Sequence, residues 1–152
     1  MAENEKIITS VAVNRKARHE YEILEKVEGG IMLHGTEVKS VRQGHISLQE
    51  AYVVPRNGEL WLEGCRISPY DHGNINNHDP MRSRKLLMHR REIVKLSKRA
   101  AEKGLTLIPL AAYFKGRRLK IEVGLGRGKR LYDKRHSIKE REVQRKIQRL
   151  TA

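Results

Sequence analysis

One stretch of this chain announces its geometry directly. Pro55-Arg56-Asn57-Gly58 stands between two β-rich runs, Ala51 to Val54 and Leu60 to Ile67. An Asn-Gly pair supplies the positive φ that a two-residue hairpin turn demands, so the flanking runs pair antiparallel. The same pattern recurs twice. Glu20 to Val27, Glu28-Gly29-Gly30 and Ile31 to His34 read as strand, glycine turn and strand. Leu105 to Phe114, Lys115-Gly116-Arg117 and Leu119 to Leu125 form a third hairpin, in which Pro109 marks an edge or a bulge. Ile7 to Val13 adds a first strand after a frayed terminus, residues 1–6. Lys85 to Met88 fits either a strand or the start of a helix.

Three segments between these strands have helical features. Asn14 is placed to cap a short basic element reaching His19. Gly35 to Gly44 reads as a short helix with Thr36 as N-cap and Gly44 as stop. Arg90 to Lys103 is the strongest, since Ile93, Leu96 and Ala100 share one face and Gly104 ends it. Tyr70 to Asp79 is a polar, Asn-rich loop. Hairpins with two or three helices between them imply an α+β domain. A small closed or nearly closed antiparallel barrel removes the exposed edges such strands would leave.

Charge divides the chain. Residues 127–152 hold ten of the 32 Lys/Arg and three of the 18 Asp/Glu, a net +7 that is half of the total +14. They carry few large apolar side chains, although Val143, Ile147 and Leu150 fall on one side of a possible helix. The expected organisation is a barrel domain over 1–126 and a basic tail over 127–152, disordered until an anionic partner orders it. A pI near 10.2 points to nucleic acid or an anionic membrane surface. The membrane option is the weaker, because the longest nearly apolar run, Leu105 to Phe114, contains Pro109 and is too short to span a bilayer. No signal peptide is expected, since Glu3 and Glu5 precede no long apolar stretch. The single Cys65 rules out an internal disulfide and suits a reducing cytoplasm.

Catalytic patterns are missing. Gly124-x-Gly126-x-Gly128-Lys129 lacks the spacing and the Ser/Thr of a phosphate loop, and reads as a flexible hinge. Cys65, His72 and His78 match no common zinc spacing; Cys65 reads as a buried strand residue and the histidines as solvated. No spacing selects an acid–base pair, so neither an enzyme nor a cofactor is expected. What the chain does have is clustered cations: Arg15-Lys16-Arg18-His19, Lys39-Arg42, Arg82-Arg84-Lys85 and the tail. Such clusters neutralise phosphates and release counterions. The aromatic signature of a base-stacking RNA module is absent, so recognition of backbone shape and 2′-hydroxyls, hence structured RNA, fits better. From these residues alone, a structural ribosomal or assembly protein with its tail threaded into rRNA and a nuclease or RNA-modifying enzyme remain as alternatives.

Four words in series narrow the choice. Asn14-Arg15-Lys16-Ala17-Arg18-His19-Glu20-Tyr21, Gly35-Thr36-Glu37-Val38-Lys39-Ser40-Val41-Arg42, Asn77-His78-Asp79-Pro80-Met81-Arg82-Ser83-Arg84-Lys85-Leu86-Leu87 and Asp133-Lys134-Arg135-x-x-Ile138-Lys139-Glu140-Arg141-Glu142 occur in this order. Together they closely resemble the bacterial family of small protein B, the SsrA-binding (tmRNA-binding) proteins, over nearly the whole chain. The resemblance implies an OB-like antiparallel β-barrel of about six strands, with two or three flanking helices and a basic C-terminal tail. It implies a non-catalytic, cytoplasmic monomer that binds the tRNA-like domain of tmRNA. With elongation factor Tu and GTP, that complex reaches 70S ribosomes stalled on messages lacking a stop codon. The body would stand in for an anticodon arm, and the tail would turn helical in the empty mRNA channel.

By position, Asn14, Glu28 and Leu87 match family residues implicated in tmRNA contact, with Lys16, Arg18, His19, Arg82, Arg84 and Lys85 as cationic candidates. In the tail, Lys129, Arg130, Tyr132, Asp133, Lys134, Arg135, Lys139, Arg141, Arg145 and Lys146 are expected at the decoding centre and mRNA channel. The chain departs from some members at Tyr132, where they carry His; an aromatic stack on an rRNA base is the role left for it. Ser137 with Glu140 three residues on offers a capping box for the channel helix.

Overall fold

The computed structural model describes residues 7–70 and 77–128. Expectations about residues 1–6, about His72 and about the tail from Lys129 onward lie outside the described residues. The elements in order are β1 (Ile8–Val13), α1 (Arg15–Glu20), β2 (Tyr21–Ile31), α2 (Gly35–Arg42), β3 (Ile46–Ser47) and β4 (Tyr52–Arg56). There follow β5 (Glu59–Glu63), β6 (Arg66–Ile67), β7 (Arg84–Leu87), α3 (Arg90–Ala100), β8 (Leu105–Lys115) and β9 (Arg118–Gly128).

Six of the strands close a ring. The pairings run β8–β4–β5–β7–β2–β9 and return from β9 to β8, all antiparallel. This is the OB-like barrel expected from the sequence. β1 joins β8 on the edge that β4 uses further along, with Val13 opposite Ala111 and Val53 opposite Leu107. β3 and β6 form a separate small pair. The β4–β5 hairpin turns at Asn57 and Gly58, whose φ values of 54° and 75° are those its sequence demands. Pro109 is accommodated by a register shift between Pro109 and Ala111, the bulge expected of a residue with no N–H.

The ring is filled from its inner positions. Leu60, Leu62, Leu86, Ile121 and Leu125 have no accessible surface. Burying each such side chain contributes about 1.5–3 kcal/mol. α3 closes over this core with Ile93 and Leu96. Cys65 is buried, and burial pushes its thiol pKa up to about 11, so it acts as a small apolar residue.

Several expectations are corrected. Gly29 and Gly30 make no turn: β2 runs through them to Ile31 and pairs there with β7. At Gly29 the lack of a side chain serves close approach, because a Cβ there would stand 2.8 Å from Met88 Cγ. Helix α2 is capped at His34, not Thr36; the His34 amide donates to Glu37 Oε1 at 2.7 Å. Thr36 instead bonds the His78 ring, which is buried and also meets the Ile67 carbonyl, so His78 is no solvated loop residue. The glycines expected to form a hinge lie inside β9. A Cβ on Gly124 would meet Leu110 Cδ1 at 2.6 Å, and β9 stays paired to Gly128.

Candidate nucleic-acid interface

Strand alternation sorts the candidate residues. Along β7, Arg84 and Leu86 point inward and Lys85 and Leu87 outward. Leu87 is 48% exposed, next to the fully buried Leu86. It lines a cleft of about 580 Å³ with Glu28, Gly30, Lys85, Arg90 and Lys120. Gly30 lies against Leu87 there: the three atoms nearest the place its Cβ would take belong to Leu87, the closest at 3.4 Å. A second hollow continues from Leu87 and Lys120 to Arg117 and Arg118. An exposed leucine is therefore ringed by cations from two strands, the β8–β9 turn and a helix start. That combination suits a ribose or base edge held between phosphates.

The outer face of β2 and β9 carries this surface toward α1. Glu28 and Glu122 stand directly opposite each other. Arg18, at the last turn of α1, reaches Glu122 at 3.4 Å. Glu28 accepts from the Tyr113 hydroxyl and lies 3.4 Å from Lys115 Nζ. The Tyr113 hydrogen bond, with the lysines behind it, holds the Glu28 carboxyl below its ordinary value despite partial burial. The structure thus brings Arg18, Glu28, Lys85 and Leu87 onto one continuous strip. Lys16 turns elsewhere, to Glu50 at 2.7 Å in a hollow beside Tyr52, and that carboxylate raises its pKa. His19 is exposed at the end of α1.

Two candidates are inside the protein. Asn14 has no accessible surface. Its Nδ2 donates to the carbonyls of Leu48 and Pro109, both at 2.9 Å, while its Oδ1 accepts from Ala17 N. It therefore caps α1 and ties it to β8, with no edge left for RNA. Arg84 is equally enclosed. It donates to Glu37 and to the carbonyls of Cys65 and Pro80, so phosphate contact through Arg84 is corrected to an internal role. Arg82 is intermediate: it bonds Glu37 Oε1 at 2.6 Å and keeps 29% of its side-chain surface. Burial would raise the Glu37 pKa, but the hydrogen bonds from Arg82, the His34 amide and Arg84 outweigh it and hold it low. Of the Lys39-Arg42 cluster, Lys39 lies over Tyr70 and Arg42 over Phe114, 5.5 and 5.1 Å from the ring centres.

Lys120, Arg90, Arg117, Arg118 and Tyr113 were not singled out by sequence reasoning. Lys120 alternates with buried Leu119 and Ile121, so its outward aim was readable. Its neighbourhood was not, because nothing local says that β9 adjoins β2. Among the described residues no His/Cys/Asp/Glu group could hold a metal, and no helix is long and apolar enough to cross a membrane.

A family model described as SmpB protein matches residues 11–152. The SsrA-binding protein of Carboxydothermus hydrogenoformans is 55% identical over 138 residues, 91% of this chain and 93% of that protein. The SsrA-binding protein of Acetivibrio thermocellus is 53% identical over 149 residues, 98% of this chain and 96% of the relative. A solved chain described as "tmRNA-SmpB: a journey to the center of the bacterial ribosome" superposes with a TM-score of 0.68. It is 48% identical, and the match covers 81% of this chain and 87% of the other.

Proposed function

The chain belongs to the SmpB protein family, and on that premise we propose that it binds the tRNA-like domain of tmRNA and brings it to stalled ribosomes for trans-translation. The observation that carries this reading is the likeness to SsrA-binding proteins at above half identity over nearly the full chain. The body's contact is the strip from Arg18 through Glu28 to Leu87, with Lys85 and Lys120 beside it. Phosphate neutralisation supplies affinity, and Glu28 and Leu87 supply selectivity. Asn14 and Arg84 act from inside, by fixing α1 and β7 beneath that strip.

In this reading the barrel takes the place of an anticodon arm. The tail, with Lys129, Arg130, Tyr132, Asp133, Lys134 and Arg135, followed by Lys139, Arg141, Arg145 and Lys146, enters the decoding centre and the empty mRNA channel. Ordering it costs conformational entropy that counterion release offsets. Elongation factor Tu with GTP joins through the charged tmRNA. The protein acts as a monomer in the cytoplasm, by binding and without catalysis, cofactor or metal.

The division of labour is tested by ending the chain after Lys129. RNA affinity stays near that of the full chain, and tagging of stalled products is lost. Equal loss of both activities overturns the body-and-tail assignment.

A further inference from the structure

The RNA strip holds a pair of carboxylates that ought to repel. Glu28 and Glu122 are opposite partners on β2 and β9, so both project from the same face at cross-strand distance. The surrounding side chains draw them apart. Glu122 accepts from Arg18 of α1. Glu28 is drawn the other way, across β9 to β8, where the Tyr113 hydroxyl donates to its Oε2. Tyr113 stands opposite Lys120, and Lys120 lines the same cleft as Glu28 and Leu87. A tyrosine is long enough to carry a donor from β8 over β9 to a residue of β2. Lys115 contributes less, because at 3.4 Å and 40% exposure its charge is screened by water.

We propose that Tyr113 is a positioning residue for RNA recognition, its hydroxyl fixing Glu28 as an ionised acceptor at the mouth of the cleft. The inference rests on the proposed tmRNA-binding role of the strip. Its chemical content is specific: an ionised carboxylate accepts from ribose hydroxyls and base amino groups, whereas a protonated one competes as a donor. The Tyr113 hydrogen bond is the largest influence lowering the Glu28 pKa. Tyr113 itself is pushed up, by burial first and by Glu28 second, so it stays a donor across the working range. Other charged groups face Glu28. Lys115 lies on β8, and Lys120 and Glu122 on β9. Across the cleft stand Glu59, Lys85, His89, Arg90 and Glu92. All of these side chains are present in both proteins, so the comparison isolates the hydroxyl.

The test uses the full chain, Tyr113→Phe, Glu28→Gln and the double variant. Each is titrated with the tRNA-like half of tmRNA from neutral pH down to 4.5, the ordinary glutamate value. Tyr113→Phe keeps the parent melting temperature but binds about fivefold to tenfold more weakly, the net scale of one lost hydrogen bond. Its affinity also falls at a higher pH than the parent's. Adding Tyr113→Phe to Glu28→Gln changes nothing further. Parent-like affinity and pH profile for Tyr113→Phe, with Glu28→Gln still weakened, overturns the role of Tyr113 alone. Parent-like affinity for Glu28→Gln removes Glu28 from the RNA surface and overturns the strip assignment with it.

Discussion

Arg84 Nε donates to Glu37 Oε2 at 2.5 Å, and neither side chain has accessible surface. The pair joins the first turn of α2 to β7 inside the protein. Arg84 also satisfies the carbonyls of Cys65 and Pro80, so its donors are well used. This contact sets the inward register of β7, and through alternation the outward aim of Lys85 and Leu87. Removing one partner strands a buried charge. Arg84→Met or Glu37→Leu alone is expected to cost about 3–5 kcal/mol, and the double replacement less than the two together. Urea unfolding of the three variants measures this.

Stability should fall in acid for the same reason. The Glu37 carboxyl is held below 4.5 in the folded protein. A depressed carboxyl stabilises the fold fully above its unfolded-chain value and loses that contribution as pH drops through the folded value. Unfolding free energy is therefore expected to be flat near neutrality and to decline below pH 4.5. Glu37→Gln, less stable at neutral pH, has a shallower acid slope. Denaturant titrations at stepped pH give both curves.

Leu86 and Leu87 are adjacent and should respond in opposite ways. Leu86 is fully buried, so Leu86→Ala costs about 2–5 kcal/mol of stability. Leu87 is half exposed in the cleft, and Leu87→Ala is expected to change stability by no more than about 0.5 kcal/mol while weakening RNA binding. Thermal melts paired with RNA titrations separate the two effects.

Gly64 has φ +70°, and a Cβ there would stand 2.7 Å from the Glu50 carbonyl oxygen. Backbone cannot step aside as a side-chain tip can. Gly64→Ala thus adds a clash to the roughly 1–2 kcal/mol cost of left-handed backbone. Gly104 has φ +81° with nothing near its Cβ, so Gly104→Ala carries the conformational cost alone. The difference in their unfolding midpoints isolates the clash.

Much of this architecture was legible where local chemistry decides. Asn57-Gly58 specified its turn, Asn14 its cap, and Ile93 with Leu96 the buried face of α3. Reading failed where a glycine had more than one use. Gly29-Gly30 looked like a turn and lies inside a strand, with Gly29 packed closely against Met88; Gly124 looked like a hinge and makes room for Leu110. Charge misled in the same way. Arg82-Arg84-Lys85 reads as one basic cluster, yet alternation and the distant Glu37 send Arg84 to the interior. The proposed strip was half legible: the family resemblance supplied Glu28 and Leu87, while Lys120 and Tyr113 enter only when β8 and β9 close the ring beside β2.

A binding titration of the full chain against the tRNA-like half of tmRNA and against ordinary tRNA, each at low and high salt, bears most directly on the strip as a reader of shape. Both RNAs have the same charge density, so counterion release favours neither. The expected result is a preference of tenfold or more for the tmRNA fragment, about 1.4 kcal/mol, kept at both salts. Equal affinities that collapse together as salt rises would mean that the basic groups act without selectivity, and would return the chain to the class of general rRNA-binding proteins.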